Sequence, residues 1–90
     1  MMRINNYIKI TDYDNFEIVG IVHGTIKKDS LVELYDSLNN PLGIYSHVDS
    51  INIYGIEYDE VSHGITARFI CPGLSADLLD KGMKVAVSEE

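Results

Sequence analysis

Residues 16–27, FEIVGIVHGTIK, alternate with a period of two, and this constrains the chain more than any other feature. Side chains of an extended strand point to opposite faces in turn. One face takes Phe16, Ile18, Gly20, Val22, Gly24 and Ile26. The other takes Glu17, Val19, Ile21, His23, Thr25 and Lys27. The segment reads as one long strand, bent at Gly20 or Gly24, since a strand glycine marks a bulge or sharp coil.

The same pattern recurs in shorter pieces. YIKIT (7–11) is a strand with Ile8 and Ile10 on one side, and LVELY (31–35) follows the polar turn Lys28-Asp29-Ser30. SLNNPLG (37–43) is turn chemistry, with Asn-Asn-Pro and then Gly. IYSHVDSINIY (44–54), ITARFIC (65–71) and KVAV (84–87) complete about six strands. One segment reads as helical: Ser75 as N-cap, Ala76 to Lys81 as a turn and a half of α or 3₁₀ type, and Gly82 as the stop. The expected fold is all-β: a small closed antiparallel barrel of about six strands with one short helical turn. Ninety residues allow one domain, spanning 1–90, with a modest core. Alternation assigns that core to Phe16, Ile18, Val22, Ile26, Val32, Leu34, Val48 and Phe69, capped by Leu78 of the helical turn.

Charge narrows the partners. Fourteen acidic against seven basic residues give a net charge of −7, and Lys27-Lys28 is the sole basic pair. Nucleic-acid binders neutralise phosphates with lysine and arginine, and the average field here repels a polyanion. Weak or no direct nucleic-acid binding is expected. The opening residues lack a signal-peptide pattern, and no apolar run reaches the ~20 residues that span a bilayer. The expected location is cytoplasmic, with no membrane partner.

Chemistry-bearing constellations are sparse. Cys71 is the lone cysteine, so the chain forms no internal disulfide. His63 is the candidate base for it, but the two sit at opposite ends of one expected strand, roughly 25 Å apart. Cys71 therefore reads as structural and His63 as a solvent-facing turn residue. The histidines lack metal-site spacing, and the scattered glycines form no phosphate-binding loop. The expectation is no catalytic residue, no cofactor, no metal and no GTP. The acidic run EYDE (57–60) reads as a solvated loop. Six tyrosines accompany only two phenylalanines and no tryptophan. They suit either an interface or half-buried barrel positions. The candidate partner-binding surface is Val19, Ile21, His23, Lys27, Lys28, Tyr54 and Tyr58.

From about residue 7 to 87, the order of these pieces resembles domain 2 of the translational GTPases, the β-barrel of elongation factor Tu and its relatives. GIVHGTIKKDSLVEL (20–34), HVDSINIY (47–54) and YDEVSHGITARFICPGLSADLLDKGMKVA (58–86) carry the likeness. The resemblance implies a barrel and a link to translation, without the GTPase domain. It also implies where the aminoacylated tRNA end would lie. The family's adenine-facing glutamate falls at Asn52, its pocket asparagine at Thr66, and its adjoining basic residue at Gly55. None of the three is retained, so capture of aminoacyl-tRNA does not carry over. The chain is expected to be a stand-alone binding module docking on a protein or ribonucleoprotein surface. The alternative is a protein-interaction or homo-oligomerisation domain unrelated to translation.

Overall fold

The computed structural model describes residues 5–88. Its strands are β1 (Tyr7–Asp14), β2 (Glu17–His23), β3 (Ile26–Lys27), β4 (Leu31–Tyr35), β5 (Pro41–His47), β6 (Ser50–Ile53), β7 (Ile56–Glu57), β8 (Glu60–Val61), β9 (Thr66–Ile70) and β10 (Lys84–Val87). A single 3₁₀ turn, Ala76–Leu78, lies between β9 and β10. Eight strands form one antiparallel sheet in the order β5-β4-β10-β1-β2-β9-β6-β7, while β3 and β8 pair separately. The all-β expectation holds. The last of the described strands, β10, is thus an interior strand, joining β4 to β1.

The expected closed barrel of six strands is replaced by an open, curled sheet. Both long expected strands divide. The first breaks at Gly24, where φ is +83° and a Cβ would collide with Asn6 Oδ1. The second breaks at Val48-Asp49. Val48 bonds back to the turn before β4, its C=O accepting from Asp29 N–H at 2.7 Å and its N–H donating to Ser30 C=O at 3.0 Å. Asp49 N–H donates instead to Ile70 C=O at the end of β9, at 2.8 Å. The chain therefore passes from one end of the sheet to the other within two residues, which requires the sheet to curl. The ladder itself stays open, because β5 pairs only with β4 and β7 only with β6 among the described residues.

The curl encloses one apolar core. Phe69 sits at its middle, paired across the sheet with Ile18 and Ile51, all fully buried with Ile8, Val22, Ile26, Val48 and Val85. Two expected core members lie elsewhere. Phe16 is 47% exposed because β2 begins one residue later, and Phe16 occupies the β1–β2 turn at φ +62°. Its main chain is still structural, accepting from Cys71 N–H at 2.7 Å and donating to Leu74 C=O at 2.9 Å. Leu78 is 36% exposed, and its neighbours Leu74 and Leu79 are buried in its place. The turn is 3₁₀, one of the two expected types, but it stops at Leu78 rather than Lys81, and Leu79 continues in extended conformation. Ser75 takes an extended N-cap conformation without a side-chain cap. The Ala76 N–H donates instead to Asn15 Oδ1 at 2.9 Å, and the Ser75 hydroxyl donates to Asp77.

The glycine in β2 is required by close packing. A Cβ on Gly20 would lie 2.5 Å from Ile8 Cγ2 and from the Lys9 carbonyl oxygen. The bulge expected in this strand lies on its partner, where the β1–β2 register shifts between Ile10 and Asp12.

Candidate functional site: a groove on the outer face of the sheet

With Ile18, Gly20 and Val22 turned inward, Val19 and Ile21 stand on the outer face of β2. On β9, Ala67 and Phe69 point in, so Thr66 and Arg68 point out. Register places Ile21 opposite Thr66 and Val19 opposite Arg68, with Asn52 of β6 on the far side of Arg68. The β6–β7 connection is a two-residue turn, Tyr54-Gly55, closing the Ile53–Ile56 pair. Both turn residues have positive φ, +51° and +80°, the combination of a type I′ turn that suits the twist of a hairpin.

These elements border an open groove of about 480 Å³, whose floor and walls are Val19, Asn52, Ile53, Thr66, Ala67 and Arg68, with Tyr54 and Gly55 at one end. Tyr54 is 100% exposed. Asparagine, aspartate and glycine favour the first position of such a turn, so a tyrosine there carries backbone strain. A smaller hollow of about 160 Å³ adjoins the groove and shares Val19 and Arg68 with it; its other walls are Asp12, Tyr13, Asp14 and Glu17. Arg68 Nη1 lies 2.6 Å from Glu17 Oε1.

The remaining candidate surface residues lie outside this groove lining. His23 stacks on Tyr7 with ring centroids 4.6 Å apart and meets His63 edge-on at 5.4 Å. Lys28 Nζ pairs with Glu57 Oε2 at 3.0 Å, and this bond and charge together raise its pKa. Lys27 is exposed on β3 opposite Glu60. Tyr58 is exposed, with its N–H donated to Ile51 C=O at 2.9 Å. The acidic run 57–60 is more ordered than a solvated loop, since Glu57 ends β7 and Glu60 begins β8.

Cys71 and His63 do not meet. Cys71 bonds to Phe16 just before β2, while the His63 imidazole accepts from Gly24 just after it. Burial pushes the Cys71 thiol from 9.0 up to about 12, with the Asp49 charge adding to the effect. A thiol held protonated in this way is a poor nucleophile. No group of three or more His, Cys, Asp or Glu side chains among the described residues is arranged to hold a metal. No helix among them is long and apolar enough to cross a membrane.

Sequence reasoning placed Val19 and Tyr54 on a contact surface but did not join them. The outward parity of Thr66 and Arg68 was available in TARFI, whereas their register against Val19 was not. The chain matches no protein-family model, and no curated protein emerges as its relative.

Proposed function

We propose that this chain is a non-catalytic binding module that docks on a protein or ribonucleoprotein surface through the groove between β2, β6 and β9. The observation that carries the reading is Tyr54: a large aromatic side chain, fully exposed and held at an unfavourable φ at one end of a groove bordered by Val19. Strained positions persist where function uses them, and tyrosine is a favoured interface anchor. The resemblance to translation-factor domain 2 supports the same location. Asn52, Gly55 and Thr66, where that likeness places the tRNA-end contacts, all border this groove. Their chemistry differs from the family's, so the proposal keeps the site and a translation-related setting without capture of aminoacyl-tRNA. It assigns no cofactor, GTP or membrane.

The test is in-cell photo-crosslinking from a probe placed at Thr66, in the native sequence and with Val19→Asp or Tyr54→Ser. Discrete crosslinked partners, lost in both variants, support the reading. Identical partners in all three overturn it.

A second reading, self-association, rests on the opposite edge of the sheet. Leu31, Leu42 and Tyr45 are exposed along β4 and β5, and the edge of β5 away from β4, without a partner strand among the described residues, is one that another strand could extend. Sedimentation over a concentration range decides it, with Tyr45→Lys expected to abolish any dimer.

A further inference from the structure

We infer that the occupant of the outer groove is a cationic protein segment carrying an apolar side chain beside its lysine or arginine residues. The inference rests on the docking reading and adds the partner's chemistry.

Three observations lead to it. The first is the groove itself, where the Val19 side chain stands on the outer face of the sheet and the exposed Tyr54 lies at one end. Such a surface favours an apolar anchor. The second is the adjoining hollow. It sets Asp12, Asp14 and Glu17 against Arg68 alone, three carboxylates to one guanidinium. Arg68 is already engaged by Glu17 at 2.6 Å, leaving two carboxylates, both exposed. The third is continuity: Val19 and Arg68 border both hollows. An incoming chain with its apolar side chain in the groove would bring an adjacent ammonium or guanidinium group over Asp12 and Asp14. Complementary charge at a rim speeds encounter and fixes register, and the net charge of −7 reinforces attraction for a basic partner. A polyanion meets the opposite field.

The test uses synthetic octapeptides on the intact chain, read by amide chemical shifts and by anisotropy. The probes are alternating Lys-Leu, Lys-Ser and Glu-Leu peptides, with single-stranded RNA as a fourth arm. The Lys-Leu peptide should shift amides of β2, β6, β9 and the 54–55 turn. Tyr54→Asn should weaken it roughly tenfold, as loss of an aromatic anchor does. Joint Asp12→Asn and Asp14→Asn should weaken it about threefold at low salt and less at high salt. Glu-Leu should leave the groove unshifted. Equal binding of Lys-Ser and Lys-Leu, insensitive to Tyr54→Asn, would show bulk charge alone and overturn the inference. Stronger groove shifts with RNA or Glu-Leu would keep the docking site but overturn its occupant. Absence of groove shifts with Lys-Leu at millimolar concentration also overturns the occupant, while the crosslinking test judges the docking reading separately.

Discussion

His63 Nδ1 accepts the Gly24 N–H at 3.2 Å, tying the β8–β9 turn to the end of β2 across 39 residues. A neutral imidazole accepting at Nδ1 carries its proton on Nε2. Long-range proton–nitrogen spectra of the neutral protein should therefore show the Nε2–H tautomer for His63. His63→Ala removes both this acceptor and the edge contact to His23, and should cost about 1 kcal/mol. A Nδ1–H tautomer would remove the basis of the assignment.

The Cys71 thiol predicts an alkaline limit to stability. Burial raises its pKa from 9.0 to about 12 in the folded state, so from pH 9 upward the unfolded chain loses this proton while the folded one keeps it. The contribution of this group is intact below pH 9 and falls from there to about pH 12, on the order of 1.4 kcal/mol for each unit. Tyr35, whose pKa is raised above 10.0 first by desolvation and then by Glu33 and Tyr45, steepens the fall. Denaturant melts at pH 7, 9 and 10.5 measure it, and Cys71→Ala should flatten the decline. Native Cys71 should also react slowly with a mild thiol reagent at neutral pH, whereas stoichiometric labelling within seconds would contradict its burial.

Tyr54→Asn separates stability from recognition. Asparagine tolerates the left-handed region, so the variant should gain up to about 1 kcal/mol while losing partner contact. A loss of stability together with unchanged docking would mean that the ring serves the fold.

Phe69→Ala should cost about 3–5 kcal/mol, as for other fully buried aromatics, a large part of what a domain of this size possesses. Gly20→Ala should cost roughly 1–3 kcal/mol because its Cβ meets the Lys9 carbonyl, a main-chain atom. A chemical melt of each variant decides, and a loss under 1 kcal/mol for Phe69→Ala would contradict its central place in the core.

RNA binding should stay weak. Lys28 is engaged by Glu57, whereas Lys27 forms no ion pair among the described residues. One or two phosphate contacts give a salt slope of roughly −1 to −2 and an affinity around 10⁻⁴ M. Titration with tRNA at two salt concentrations measures both, and sub-micromolar binding lost on Lys27→Ala with Lys28→Ala would restore an RNA role.

Strand identity and facing were legible wherever alternation was clean. Ile18, Val22, Val32, Leu34 and Phe69 are buried as expected, and β4 and β10 carry the expected boundaries. Alternation failed at the ends of elements. Phe16 shares the parity of Ile18 yet lies in a turn, where parity has no meaning. The break at Val48-Asp49 was hidden because its cause is tertiary: one residue bonds toward β4 and the next toward β9. The groove escaped for the same reason, since period two places Val19 and Arg68 outward but only the β2–β9 register sets them side by side.

The interior place of β10 has a consequence for synthesis. Until residues 84–87 leave the ribosome, β4–β5 and β1–β2–β9–β6–β7 have no strand to connect them. A nascent chain must hold two parts of the sheet, each with an exposed edge beside β10's future position, and the sheet completes as β10 enters between them. Emergence of residues 84–87, more than formation of any hairpin, then sets when this domain becomes a folded unit.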